Sequence, residues 1–368
     1  MRQALVMAFV LSAASALAAQ DTLRVRDPKD GKISEKQGEV VTLTHKLVEY
    51  EQDLGGTRAK LQEDARTVVE LIPDQNGRTF DYIQAEQAFN NGDYAEAIER
   101  FEKVRRDQRA RDILKQIAAI SVVRAQWGSG NAQATIAAAK ALRQEKADSF
   151  FIRESFELEI QAHLSRNDLA GAGGTLNAFE EKGKTDGMPD WAKSAEVKRA
   201  RLLELQGKHR EALPIHRKYA RDRDVAEEAT LGELRCLAAV PDWSALTTRS
   251  ESIINEARSA KAVSPRLLTG AYNGRAEAAL NSGKFKEALL DFLQGALVLN
   301  KGGDSGLEHE SSLAGAAIAS AKLAGAEKEK PKKDTYKGRA QELQAELEKF
   351  YPSSRLRKAV ADAIAAVK

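Results

Sequence analysis

Five histidines, one cysteine and two glycine-rich stretches are the residues in this 368-residue chain that could do chemistry. The histidines are His45, His163, His209, His216 and His309. His209 and His216, seven apart, can share a helical face, but no carboxylate or third imidazole stands at a ligand spacing from both, so packing is the expected role. Glu308-His309-Glu310 places neighbours on diverging sides of a helix and makes no ready acid–base pair. Cys236, alone, excludes an intrachain disulfide and a cysteine-based zinc site. Between Leu234 and Leu237 it reads as a small buried apolar residue.

Gly183-Lys184-Thr185 imitates the end of a phosphate loop, yet Ala178 stands where that loop needs a glycine, and no strand precedes it. It reads as a helix end. Gly171-Ala172-Gly173-Gly174 lacks the dinucleotide spacing and its flanking strand, and reads as loose packing or a shortened helix. No serine sits in a Gly-x-Ser-x-Gly elbow. The basic runs from Arg105-Arg106 to Arg111 and from Lys328 to Arg339 are interleaved with Asp107, Asp112, Glu329 and Asp334, as in solvated helix ends and loops. The net charge of +3 makes no electrostatic case for nucleic acid or a membrane surface. No catalytic, cofactor or metal residues are therefore assigned, and a non-catalytic protein that needs no cofactor is expected.

The elements that carry these residues are mostly helical, in keeping with 42% hydrophobic residues, 6% aromatics and only 8 prolines. Residues 1–20 are the exception at the start. Met1-Arg2, the apolar run Leu5 to Leu11 and Ala16-Leu17-Ala18 form a cleavable signal peptide, too short for a membrane span of about 20 residues. The mature protein is expected to begin between Ala19 and Asp21, in the periplasm or fully exported, with no cysteine near the site for a lipid anchor.

Residues 21–76 read as a small β-rich module. Gly38 to Thr44 is rich in β-branched residues, and Lys46 to Glu51 alternates through Val48 and Tyr50. Asp53-Leu54-Gly55-Gly56 is a turn. Arg58 to Gln62 alternates through Ala59 and Leu61, and Thr67 to Ile72 closes a set of four or five strands before Pro73. The order of these pieces resembles a small Sm-like or SH3-like barrel. In a repeat protein such a module can cover the exposed apolar end of the array.

Helical hairpins follow over residues 80–350. In the clearest, Ala85, Ala88 and Phe89 lie on one face of a first helix, Gly92 ends it, Asp93 can cap the next, and Ala97, Ile98, Phe101 and Val104 mark the second face. Ala85, Gly92, Tyr94, Ala97 and Phe101 stand at the small, turn and aromatic positions of a tetratricopeptide repeat, which the unit resembles. Ala200, Gly207 and Ala212 repeat the pattern, as do Ala276, Gly283 and Ala288 with Phe292. Other hairpins turn at Gly130, Asn167 and Pro241, and a seventh near Gly325 is expected to be interrupted by a charged spacer from Lys328 to Asp334. The turns are 34 to 42 residues apart, against about 34 in the strict repeat. Residues 351–368, with Leu356, Val360 and Ile364 on one face, read as a capping helix.

The fold class is thus mainly α: an α-solenoid of about seven such hairpins behind a small β module. Stacked hairpins bury a shared core and leave an extended binding surface. The resemblance implies a scaffold for a protein or peptide partner, held along the first helix of each pair, with Gln84, Arg124, Arg201 and Asn273 as candidate contacts. The alternatives are a self-associating component of a cell-envelope assembly and an accessory domain of an envelope enzyme.

Overall fold

The computed structural model describes residues 20–259, 262–299, 306–352 and 354–367. The expected signal peptide lies outside the described residues but for Gln20. The chain divides into two compact units, one ending at Phe179 and the other beginning at Glu180.

The first unit opens with five antiparallel strands, β1 (Asp21–Arg26), β2 (Ile33–Leu43), β3 (Leu47–Asp53), β4 (Arg58–Asp64) and β5 (Val68–Ile72), in the order β4-β3-β2-β1-β5. β2 serves two ladders. Its first part pairs with β1 from Ile33 to Gly38, its second with β3 from Glu39 to Leu43. Gly38 stands at the changeover, where a Cβ would lie 2.6 Å from the Glu51 carbonyl oxygen and 2.7 Å from Tyr50 Cδ2. A glycine is needed for so close an approach. Leu23, Val40, Leu43, Val48, Tyr50 and Val68 form the buried face. Val41, the extra residue of a bulge against β3, is turned outward. β1 was not singled out in the sequence reading.

The sheet is fastened to helices of the same unit. Asp21, fully buried, accepts from both Arg111 terminal nitrogens at 2.9 and 2.5 Å and from the backbone N–H groups of Val40 and Asp74 at 2.9 Å each. Gln116 donates to the Leu43 carbonyl at 2.9 Å, and its own amide oxygen accepts from Ser149 Oγ and Phe150 N–H.

Helices pair consecutively. The first unit holds α1 (Phe80–Asn91) with α2 (Tyr94–Arg106), α3 (Asp112–Gly128) with α4 (Ala132–Glu145), and α5 (Ile152–Ser165), followed by α6 (Leu169–Asp186), which runs on past the division. The second holds α7 (Pro189–Leu205) with α8 (His209–Tyr219), α9 (Ala226–Ala239) with α10 (Trp243–Arg258), α11 (Pro265–Asn281) with α12 (Phe285–Leu293), α13 (Leu307–Ala326) with α14 (Lys330–Phe350), and α15 (Arg357–Ala365). The fold is mainly α, with seven helical pairs among the described residues behind the small sheet. None of these helices is long and apolar enough to cross a membrane.

Local sequence explains the pairs. Gly92 takes a left-handed φ of 84° and its N–H bonds back to the end of α1, a conformation costly for any residue with a Cβ. Gly207 and Gly283 do the same after α7 and α11. Ala85, Ala97, Ala200, Ala212, Ala276 and Ala288 are fully buried, and Phe101 and Phe292 nearly so. Tyr82 meets Phe101 edge to face at 6.1 Å. α15 lays Val360 and Ile364, and the chain after it Val367, into the core formed by Leu343, Leu347 and the alanines of α13.

Three local details differ from the sequence reading. Asp93 occupies the N-cap of α2, but its ψ of 62° is outside the extended region, and its side chain makes no cap bond. Gly325 lies inside α13 rather than at a left-handed turn. The charged stretch from Lys328 is not a spacer: α14 starts at Lys330, with Pro331 in its first turn, where a missing N–H costs nothing.

Candidate functional site

α9, α11 and α13 are the first helices of three successive pairs in the second unit, and α11 packs against both of the others. Small residues set the spacing. A Cβ at Gly270 would come within 2.3 Å of Leu231 Cδ2 on α9, and one at Gly274 within 2.6 Å of Ser250 Oγ on α10. Over these helices lies a cleft of about 330 Å³. Its walls are apolar, built from Leu231, Leu234, Ala238, Ala239 and Leu307, and Arg235, Asn273, Glu277, Glu308 and Ser311 supply the polar groups.

Most of those polar groups are already engaged. Arg235 donates to Glu204 through Nε at 2.8 Å and Nη2 at 3.2 Å, and to Glu308 through Nη1 at 3.2 Å. Arg266 Nε reaches the other Glu308 oxygen at 2.9 Å. Arg201 donates to Glu204 at 2.5 Å, and His216 Nε2 lies 2.8 Å from Glu204 Oε1. Asn273 Nδ2 donates to the Glu308 carbonyl at 2.7 Å, and its Oδ1 accepts from Ser312 at 2.6 Å. Burial by itself would raise the Glu204 carboxyl. The His216 bond and the Arg235 and Arg201 guanidiniums outweigh it and hold the group down at about 2.

Glu277 is different. It has no hydrogen-bond or ion-pair partner among the described residues, and burial alone pushes its carboxyl up to about 7. It belongs to a face of α11 made of Gly270, Asn273, Gly274 and Glu277, spaced i, i+3, i+4, i+7. That spacing was present in the sequence, where acids were read as solvated.

Glu204, His216 and Cys236 bring one ligand atom each within 4.8 Å of one another, all buried. Sequence reasoning missed this grouping, because the residues come from α7, α8 and α9. The donor set does not suit a metal ion. The carboxylate already accepts from two guanidiniums and an imidazole, burial and the Glu204 charge push the Cys236 thiol up to about 12, and a cation would sit against Arg201 and Arg235. The grouping is a buried ion-pair network joining three consecutive helices.

The other singled-out residues have structural surroundings. His163 Nδ1 lies 2.7 Å from Asp168 Oδ2, its ring filling the space beside Gly171, in the first turn of α6. Gly183 to Thr185 form the last turn of α6, with Gly183 against Trp191. Of the four candidate contacts, Asn273 lines the cleft and Arg201 joins the network beneath it. Arg124 is bound bidentately by Glu154 at 2.6 and 2.7 Å, and Gln84 bonds Gln87.

No protein-family model matches the chain, and no curated protein sequence matches it. Solved structures do. A tetratricopeptide repeat protein from Parabacteroides merdae ATCC 43184 superposes with a TM-score of 0.53 at 14% identity, over 78% of this chain and all (100%) of that one. The fold is that of a tetratricopeptide-repeat protein. PilW, described as a type IV pilus biogenesis factor, gives a TM-score of 0.42 at 12% identity over 68% of this chain and 100% of its own. The C-terminal part of a repeat protein from Cytophaga hutchinsonii gives 0.39 at 15% identity over 77% and 98%. In tetratricopeptide terms, the cleft lies on the first helices of three neighbouring repeats.

Proposed function

We propose that this chain is an exported, non-catalytic tetratricopeptide-like scaffold that holds a segment of a protein partner along the first helices of its repeats. The observation that carries the reading is the cleft over α9, α11 and α13, apolar in its walls and holding one unpartnered acid. Its other charged residues, Arg235 and Glu308, neutralise one another and their neighbours, and its walls are apolar, an arrangement suited to binding. Export rests on the leader-like sequence of residues 1–20. Cleavage ahead of Asp21 would leave the Asp21–Arg111 pair whole.

Crosslinking with mass spectrometry on the native protein tests the scaffold. The expected result is a discrete partner whose crosslinks fall on first helices. Recovery of crosslinks only between copies of this chain would favour a self-associating envelope component instead. N-terminal sequencing of the chain from the periplasm or medium tests export. A start between Ala19 and Asp21 is expected, and an intact Met1 in a cytoplasmic fraction would overturn it.

A further inference from the structure

Resting on that reading, we infer that the cleft over α9, α11 and α13 receives the side chain of a lysine presented by the partner segment, its ammonium meeting Glu277 and its methylenes lying along the leucine and alanine walls.

Three observations carry this. Among the described residues, Glu277 is the charged group of the cleft that has no partner. Arg235 is paired with Glu204 and Glu308, and Glu308 with Arg235 and Arg266. Glu277 is half-buried and lines the cleft with no opposing cation among the described residues, and an arriving ammonium would relieve the hydration its carboxylate has lost. An anionic ligand has the reverse problem: it would meet Glu277, while the charge of Arg235 is already balanced by Glu204 and Glu308. The second observation is the wall. Leu231, Leu234, Ala238 and Ala239 offer apolar surface without polar groups, which suits a four-carbon stem carrying a terminal point charge. The third is the count of acceptors. An ammonium has three donors, and the cleft offers the two oxygens of Glu277 together with the hydroxyl of Ser311, which has no hydrogen-bond partner among the described residues. A guanidinium brings five donors in a rigid plane, and Asn273, the remaining polar group, is committed to Glu308 and Ser312.

The test uses the full mature chain and small probes. Binding of Nα-acetyl-lysine methylamide is followed by saturation-transfer NMR beside its norleucine counterpart, which keeps the stem and lacks the charge, and beside pentane-1,5-diamine. The lysine probe is expected to bind more tightly than the norleucine probe by roughly tenfold or more, and Glu277→Gln is expected to abolish the difference with the helical circular dichroism unchanged. Should that variant fail to fold, Glu277→Asp, which withdraws the charge by one methylene, should weaken the lysine probe alone. Equal binding of lysine and norleucine probes, or lysine binding untouched by both variants, would overturn the inference. A diamine that binds more tightly than the lysine probe would make the occupant a free polyamine and overturn it as well. None of these outcomes decides the scaffold reading. That reading fails if crosslinking finds no partner or only further copies of this chain, and it survives if a partner is found while the lysine probe does not bind.

Discussion

The imidazole of His216 on α8 sits directly over the bare α-carbon of Gly232 on α9, and a Cβ at Gly232 would come within 2.2 Å of its Cε1. From that position His216 Nε2 reaches Glu204 on α7. The missing Cβ on α9 thus makes room for a buried hydrogen bond between α8 and α7, and Phe292 fills the same kind of notch at Gly315, 2.3 Å from the place of its Cβ.

Gly232→Ala should therefore destabilise the second unit by about 1–3 kcal/mol, the usual cost of overpacking. Gly174→Ala, on an exposed turn of α6 where a Cβ meets nothing within 4 Å, should instead stabilise by roughly 0.5–1 kcal/mol through helix propensity. Urea midpoints followed by circular dichroism check both, and equal effects of the two substitutions would contradict the notch.

Cys236 should be inert in the folded protein. It is fully buried and its thiol is pushed up to about 12 by burial and by Glu204. Iodoacetamide at pH 8 is expected to leave it unmodified, and to alkylate it once urea unfolds the second unit. Rapid labelling without denaturant would show that the Glu204 network is not closed.

The Asp21–Arg111 pair should be one of the more sensitive points of the first unit. Arg111→Met leaves a fully buried carboxylate facing only two backbone N–H groups, and breaking such a pair costs about 3–5 kcal/mol. The double change Asp21→Asn with Arg111→Met should cost less than the single one, since no buried charge is stranded. Denaturation of the three variants gives the answer.

Glu277 should make stability depend on pH. Its carboxyl moves from an ordinary 4.5 to about 7 on folding, so the native state takes up a proton between those values. No penalty exists below the ordinary value, and stability is lost as the pH rises towards and through about 7. Arg235 and Glu308, which line the same cleft, are bound to one another and to Glu204 and Arg266. Glu277→Gln should flatten this dependence and be the more stable form at pH 8, by at most roughly 3 kcal/mol and by less as water enters the cleft. Thermal midpoints at pH 5 and pH 8 test the sign. A variant that is less stable than the parent at pH 8 would mean that Glu277 is paired.

The pairs of helices were legible because their signals are local. Gly92 and Phe101 lie within one hairpin, and periodicity over a dozen residues shows a helix and its buried face. The cleft was not legible. Arg235 finds Glu204 31 residues away and Glu308 73 residues away, and nothing in the spacing tells which acids are solvated and which are turned inward. Glu277 sits between the buried Ala276 and Ala278, so its exposure depends on what α9 and α13 place over it. Lys330-Pro331 was misread for a related reason: charge density reads as a loop, yet a helix entered by a proline in its first turn tolerates it.

The sharing of β2 between two ladders has a mechanical result for the small sheet. With Ile33 to Gly38 committed to β1 and Glu39 to Leu43 to β3, a slip by one residue in either ladder would turn every β2 side chain over in the other. Neither half can therefore change register alone, and Gly38 and Glu39, where the two ladders meet, should be the amides of β2 whose exchange responds to substitutions in either β1 or β3.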